Sequence, residues 1–200
     1  MICYMKEYIL LLPIIFIFHD MEEVVGFGYF FKKNPDLYDR FPRVLKAYRD
    51  FKTEGFAAAV YEEFIPFFGV SLLAYYFPNK ILLSMWYGLF LALSGHFIIH
   101  IGQTIYLKKY IPSFITSLIC LPVSVNILLR CTRTMNFDMV TILIIVASIL
   151  FMMLNLKLAH MLAHFVNGRM HVEENVGQNF EENRYEIVIE ETCINWNVMR

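Results

Sequence analysis

The sequence has little charge, and much of that charge is concentrated in two segments. Only 18% of its 200 residues are Asp, Glu, Lys or Arg, and 58% are hydrophobic. Soluble globular proteins have about 25% charged residues. The charges gather between Lys32 and Glu54 and after Arg169, and long apolar runs fill the rest. This distribution excludes an ordinary soluble domain and predicts a polytopic α-helical membrane protein.

Several other features are missing. The four cysteines are scattered and never form a CxxC pair, which argues against a disulfide framework or a zinc knuckle. No basic stripe with interleaved aromatic residues is present, so nucleic acid is not an expected partner. We find no nucleotide, haem or flavin motif and no internal repeat. The N-terminal apolar run has no small-residue cleavage site, which predicts an uncleaved first transmembrane helix.

The apolar runs predict about five membrane spans, since roughly 20 residues cross about 30 Å of hydrocarbon. The predicted spans are 7–30, 55–78, 81–107, 113–129 and 137–156, the last extending as far as residue 165. The fourth is short and contains Pro122, so a kink or a re-entrant hairpin stays open. We therefore expect an all-α transmembrane bundle over residues 1–165. A short polar tail, residues 166–200, follows, with a weak strand-like alternation in YEIVIEE and linker-like remainder.

Lysine and arginine counts predict the orientation, because cytoplasmic loops are enriched in them. Nine lie on the side of the loop 31–54: Lys32, Lys33, Arg40, Arg43, Lys46, Arg49, Lys52, Lys108 and Lys109. Four lie on the opposite side: Lys6, Lys80, Arg130 and Arg133. This asymmetry predicts a multi-pass protein of the plasma membrane with its N-terminus outside and its C-terminus in the cytosol.

The first span contains the polar sequence HDMEE, residues 19–23, between two apolar stretches. On a helix, Glu23 lies about 40° and Glu22 about 60° from His19, on either side of it, so the three share a face. Asp20 lies at the edge of this face. A carboxylate inside a membrane costs about 2.5–3.5 kcal/mol on insertion scales. These side chains must therefore face protein, water or a cation.

Other spans carry polar residues at a matching depth. His96 and His100 are spaced i, i+4 in the third span with Gln103 on the same face, and Glu62 and Glu63 lie in the second. Counted from the span ends on the side of the loop 31–54, His19 and Glu23, Glu62, and His96 and His100 all lie roughly 10–17 Å deep. The agreement predicts one shared polar site in the cytosolic half. His160 and His164 lie shallower and are placed to cap it.

Imidazole nitrogens with carboxylate oxygens suit a divalent metal: Zn²⁺, Fe²⁺ or Mn²⁺. The candidate ligands are His19, Glu22, Glu23, His96, His100, Glu62 and Glu63. Glu23 is also the candidate general base. Simpler interpretations stay open: HDMEE as a helix end facing Lys32 and Lys33, the histidine pairs as hydrogen-bonded packing or interfacial residues, and Glu62 and Glu63 as a snorkelling interfacial pair.

Two segments resemble the HXXEE-domain family of small membrane proteins. HDMEE matches the motif that names the family. HIGQTIYLKKYIPSFITSLICLP, from His100 to Pro122, is similar to the family's later pattern of H-x-x-[QS], a basic pair, Y-x-P-G and T-[AS]. Ser113 stands where the family has glycine. The resemblance marks His19, Glu22, Glu23 and His100 as family positions and implies a multi-span membrane protein of undefined biochemical role.

Three functions fit these observations. The first is a membrane-embedded, metal-dependent enzyme acting on a lipid or another hydrophobic small molecule. The second is a proton or cation pathway or transporter, because intramembrane Glu and His chains also form relays. The third is a non-catalytic membrane protein that binds a partner through its tail.

Overall fold

A computed structural model describes the backbone of residues 5–42 and 51–198 and the side chains of residues 5–42 and 51–170. All regular structure in these ranges is helical. The helices are α1 (Leu11–Lys33), α2 (Asp36–Arg40), α3 (Thr53–Tyr76), α4 (Lys80–Leu107), α5 (Phe114–Thr132) and α6 (Met139–Val198). Each predicted span corresponds to one long helix. Arg43, Lys46 and Arg49, used in the prediction of orientation, lie outside the described residues.

Four helices of the described part are long and apolar enough to cross a membrane: α3, α4, α5 and α6, the last over Met139–Met170. The prediction of a helical membrane protein with about five spans is confirmed in this form. Helix α1 is also long enough, at 23 residues, but three carboxylates interrupt its apolar sequence.

The outward face of α1 is apolar despite these carboxylates. Its large exposed side chains recur every three or four residues along one stripe: Leu10, Ile14, Phe18, Met21, Val25 and Tyr29. His19, Asp20 and Glu23 are buried on the opposite side. A helix with an apolar outer stripe and inward-facing polar groups is suited to a membrane, because no unpaired charge meets lipid.

Helix α4 lies at the centre of the bundle and packs against α3, α5 and α6, while α1 packs against α3 and α5. Gly88 allows α4 and α6 to approach closely, since a Cβ there would lie 2.8 Å from the Ile145 carbonyl oxygen. Small residues at helix contacts are typical of membrane bundles, where backbone proximity supplies the packing energy.

Helix α5 is continuous through Pro122. The fourth predicted span is thus one helix of 19 residues, about 28 Å long, and the re-entrant alternative is not observed. Helix α6 continues far beyond residue 165. The strand-like alternation in residues 185–191 is a wrong prediction, because the backbone there is helical. The two-residue alternation was short and lacked a partner strand.

On the side away from the loop 31–54, the bundle interior is apolar. Trp86, Phe90 and Leu12 are fully buried there, and the indole Nε1–H of Trp86 donates to the Ile9 carbonyl oxygen at 2.9 Å. At the same end, Lys80 forms an ion pair with Asp138. Hydrogen bonds from Lys80 and from the Thr141 backbone N–H lower the pKa of Asp138 to about 2. The ion pair links the first turns of α4 and α6.

Candidate metal centre

Helices α1 and α4 bring four predicted ligands together. His19, Glu23, His96 and His100 each place one donor atom in a group whose members all lie within 4.8 Å of one another. We call these residues the four-donor cluster. Three of them are buried and His96 is partly buried. The i, i+4 spacing in both helices explains the convergence, because each pair projects from one helix face toward the other helix.

The donor atoms are close enough to bind one ion together. His100 Nε2 lies 2.9 Å from Glu23 Oε1 and 2.8 Å from His96 Nε2, and His19 Nε2 lies 3.8 Å from Glu23 Oε1. Tetrahedral zinc with bonds of about 2.0–2.1 Å separates its ligand atoms by about 3.3 Å. Among the described residues, His19 Nε2 has no hydrogen-bond partner. The group therefore has the spacing of a metal-binding set and one unpaired nitrogen donor.

The orientation of His19 is set by helix α5. Its Nδ1 lies 3.0 Å from Thr116 Oγ1, and the Thr116 hydroxyl lies 2.6 Å from Glu22 Oε2. The ionised carboxylate only accepts, so the hydroxyl donates to Glu22 and accepts the Nδ1–H of His19. This tautomer leaves the lone pair on Nε2, which faces the cluster. Metal-binding histidines are commonly oriented by a second hydrogen bond of this kind.

Glu22 is a predicted ligand that the structure places outside the four-donor cluster. Its Oε2 accepts the Thr116 backbone N–H at 2.8 Å. Thr116 lies in the first turn of α5, where backbone N–H groups have no partner within the helix. The Tyr110 hydroxyl also donates to Glu22. Burial, and then this hydrogen bond, raise the pKa of Tyr110 to about 12, so it stays a neutral donor. Glu22 thus anchors α5 against α1.

The turn that precedes α5 is tightly constrained. Ser113 has a φ of 88°, a left-handed conformation that favours glycine, which is the residue that the resembling family has there. Beside it, Pro112 packs on Gly26 of α1: a Cβ at Gly26 would lie 2.6 Å from Pro112 Cβ. These contacts fix the start of α5, and with it Thr116, against the helix that carries HDMEE.

A cavity of about 230 Å³ adjoins the four-donor cluster among α1, α3, α4 and α6. Glu23, His96 and His100 form part of its wall. Its other polar lining residues are Asp20, Glu63, Gln103, His160, His164 and Asn167. Phe27, Phe51 and Phe56 form an aromatic part of the same wall.

The two glutamates of α3 have different surroundings. Glu63 lines the cavity, whereas Glu62 accepts a hydrogen bond of 3.1 Å from the side-chain amide of Asn155 on α6. Neither belongs to the four-donor cluster. His160 and His164 line the cavity from α6, in the position predicted for residues that cap the site.

Two parts of the site were not assigned from sequence. Asp20, placed at the edge of the polar face, is buried with only 4% of its surface exposed. Thr116 contacts His19 directly, and Tyr110 is linked to it through Glu22 and Thr116. Both Thr116 and Tyr110 lie in the segment from His100 to Pro122 that resembles the family's later pattern. This resemblance is the feature of the sequence that could have indicated a role for them.

Comparison with known proteins gives one finding. No curated protein and no solved structure is significantly similar to the chain. A family model does match it over residues 10–127, more than half of its length, and that region includes α1, α3, α4 and most of α5. The chain belongs to the family described as proteins of unknown function with an HXXEE motif.

Proposed function

We propose that the chain is a membrane-embedded enzyme that uses a divalent cation, Zn²⁺, Fe²⁺ or Mn²⁺, to act on a lipid or another hydrophobic molecule. The observation that carries this proposal is the four-donor cluster, whose donor atoms all lie within 4.8 Å of one another. A cation there would supply Lewis-acid chemistry, polarising a substrate or water oxygen. It would also neutralise Glu23, a carboxylate with 5% of its surface exposed.

Glu23 suits the role of ligand better than that of a free base. Its Oε1 lies between two imidazole nitrogens, 2.9 Å from His100 Nε2 and 3.8 Å from His19 Nε2. A proton acceptor would then lie on the cavity side of the cluster. His164 lines the cavity and is exposed, so it is placed to pass protons between the cavity and water.

An apolar cavity supports a hydrophobic substrate. It has a volume of about 340 Å³ and lies between α4 and α6, with Phe16 and Phe67 also in its wall. We call it the apolar slot. It shares His96, Glu63, Ile99 and Leu156 with the polar cavity. A hydrocarbon chain in the slot would therefore present its polar end beside His96. Ligand pockets commonly combine such an apolar wall with a few polar groups.

The apolar interior of the opposite half favours an enzyme over a conduit. A proton or cation pathway needs polar groups across the full depth of the membrane. In the described part of the bundle, Trp86, Phe90 and Leu12 fill the interior away from the cluster. The polar groups of the site are thus open to one half of the bundle, as expected of a reaction site that takes its substrate from one leaflet.

We further propose that this leaflet is the cytosolic one, in the plasma membrane, with the N-terminus outside and the C-terminus in the cytosol. On α4, the cluster residues His96 and His100 lie nearer to the end that is followed by Lys108 and Lys109 than to the end at Lys80. Lysine and arginine are enriched in cytoplasmic loops. Cysteine accessibility to a membrane-impermeant reagent at introduced sites near Lys33 and Lys80 tests this orientation, and labelling of the Lys33 site in intact cells would contradict it.

The metal is tested first, by elemental analysis of the protein purified in mild detergent. Wild type is compared with His19→Ala, Glu23→Gln and the control Glu62→Gln, whose partner Asn155 lies outside the cluster. We expect one or two Fe, Zn or Mn per chain in wild type and Glu62→Gln, and loss of metal in the other two. A monodisperse wild type that binds none of these metals would overturn the proposal.

Catalysis is tested with the metal-loaded protein. Incubation with a total membrane lipid extract, followed by mass spectrometry, should show the consumption of one lipid class by wild type and not by Glu23→Gln. A metal-loaded wild type that leaves the extract unchanged would contradict the enzyme. If a chain truncated after residue 170 also fails to replace the full-length chain in cells, the non-catalytic partner-binding protein is favoured.

A further inference from the structure

Asp20 is a buried carboxylate that the four-donor cluster does not use. It has 4% of its surface exposed, and within the described residues its Oδ1 has no hydrogen-bond partner. It lines the polar cavity together with residues of α3 and α6. A buried carboxylate without a partner is costly, and in membrane proteins such groups are found paired or facing a functional site. Asp20 is therefore placed to bind a cation or a hydrogen-bond donor in the cavity.

Two more carboxylates face the same cavity. Glu23 lies on the face of α1 that also carries Asp20, three residues away, and Glu63 reaches the cavity from α3. Asp20 interacts electrostatically with both of them, and the interaction is repulsive when all three are ionised. Among the described residues, the wall contains no lysine or arginine. When all three are ionised, one divalent cation at the four-donor cluster leaves one of the three negative charges uncompensated.

A histidine of α6 lines the same cavity as these carboxylates. The Nδ1–H of His160 donates to the Leu156 carbonyl oxygen at 2.7 Å. In the neutral ring this leaves the lone pair on Nε2. His160 lines the cavity and interacts electrostatically with His96, so it lies near the cluster without belonging to it.

We propose that the cavity contains a second divalent cation site, formed by Asp20 and Glu63 with His160 as nitrogen donor, and that Glu23 is shared between the two cations. This inference rests on the proposed function for the first cation. Two carboxylates from different helices, with a third shared, form an oxygen-rich set that favours Mn²⁺ or Fe²⁺ over Zn²⁺. Helical bundles bind pairs of such metals with carboxylates and histidines projecting inward.

Mn²⁺ is the probe for this site. Purified full-length protein is stripped with a chelator and equilibrated with Mn²⁺, and bound metal is measured by elemental analysis. We expect two Mn²⁺ per wild-type chain, one in Asp20→Asn and one in Glu63→Gln. The matched control Glu62→Gln, one residue away on α3, should retain two. Wild type should also give an exchange-coupled manganese signal in electron paramagnetic resonance, replaced in both variants by the six-line signal of isolated Mn²⁺.

The outcomes separate the two proposals. One Mn²⁺ per wild-type chain, with a six-line signal that Asp20→Asn and Glu63→Gln leave unchanged, would overturn the second site and leave the first intact. No bound Mn²⁺, Fe or Zn in wild type would overturn both. If Asp20→Asn does not fold, Glu63→Gln on a different helix and the wild-type spectrum still decide the question.

Discussion

Glu22 and Thr116 are joined by two hydrogen bonds to one carboxylate oxygen. Glu22 Oε2 accepts the Thr116 backbone N–H at 2.8 Å and its hydroxyl at 2.6 Å. The same hydroxyl accepts the Nδ1–H of His19 at 3.0 Å. The first glutamate of the HXXEE motif therefore acts on the histidine of that motif through a residue 94 positions away. The second, Glu23, faces the donor cluster directly.

Thr116→Val tests this relay. Valine keeps the shape of threonine and removes the hydroxyl, so His19 loses the acceptor that fixes its tautomer and ring orientation. Loss of an outer partner of a metal-binding histidine typically weakens metal affinity about 10–100-fold. We expect Thr116→Val to lose metal at a correspondingly lower chelator concentration than wild type, measured by elemental analysis after dialysis against a chelator series.

Thr132→Val is the matched control. Thr132 lies at the other end of α5, where its hydroxyl is 2.7 Å from the Tyr87 hydroxyl. This variant also removes a hydrogen-bonded threonine hydroxyl of α5, here on an exposed residue far from the cluster, and should retain metal as wild type does. Equal metal loss in both variants would indicate a general weakening of α5 and would contradict the relay.

Hydropathy was sufficient to locate the helices. The predicted span 81–107 corresponds to Lys80–Leu107 and the predicted span 113–129 to Phe114–Thr132. A membrane demands about 20 apolar residues in one run, so little else in the sequence competes with this signal. The helical continuation of α6 beyond residue 165 could not be found in this way, because that segment is polar.

Depth matching identified residues of the cluster, but could not separate Glu22 from Glu23. Both glutamates lie within about 60° of His19 on a helix, so either suits a ligand by geometry within α1. The position of α5 decides between them, because Thr116 binds Glu22. The burial of Asp20 could not be predicted either, because the periodicity of α1 does not show which helices pack beside its polar face.

Gly26 allows the turn before α5 to pack on α1. In Gly26→Ala the new Cβ would lie 2.6 Å from Pro112 Cβ, so the turn must move and carry Thr116 with it. Alanine otherwise favours a helix over glycine by about 1 kcal/mol. We expect Gly26→Ala to lower the thermal unfolding midpoint in detergent and to weaken metal retention.

Gly28→Ala is the comparison for this prediction. At Gly28, two residues further along α1, a Cβ would meet its nearest atom, Thr53 Oγ1, at an ordinary distance of 3.4 Å. This variant should keep or raise the unfolding midpoint and retain metal. A Gly26→Ala protein that is as stable as Gly28→Ala would show that the contact with Pro112 is not required.

Ser113→Gly is expected to stabilise the protein. Ser113 is buried with a φ of 88°, and the left-handed region costs a non-glycine residue roughly 1–2 kcal/mol. Glycine removes this cost, but it also increases the conformational entropy of the unfolded chain, which offsets part of the gain. We therefore expect the free energy of unfolding to rise by about 0.5–1 kcal/mol. Thermal unfolding in detergent should show a raised midpoint.

Ser124→Gly is expected to change the unfolding midpoint in the opposite direction. Ser124 is buried in the middle of α5, where glycine lowers helix stability by about 0.5 kcal/mol or more relative to ordinary residues. We therefore expect one serine-to-glycine change to raise the midpoint and the other to lower it. A lowered midpoint in both variants would refute the strain at Ser113.

The apolar slot predicts where a hydrocarbon chain binds. Gly95 lines the slot, and a Cβ there would meet no atom within 4 Å. Leucine at this position would fill space without displacing the bundle. In bicelles that contain a diazirine-bearing fatty acid, wild type should form crosslinks at Met152, a slot residue with 8% of its surface exposed. Gly95→Leu should reduce these crosslinks severalfold and leave metal content unchanged.

Gly102→Leu is the control for this change. Gly102 lies on the same helix, is exposed, and has equally open surroundings. It lines neither the slot nor the polar cavity. Crosslinks at Met161, which is 68% exposed, report contact with bulk lipid and should be the same in all three proteins. If the slot binds the chain, only Gly95→Leu lowers the ratio of Met152 to Met161 crosslinks. An unchanged ratio in Gly95→Leu would mean that chains reach Met152 by another route, and a substrate would then have to approach His96 through the polar cavity alone.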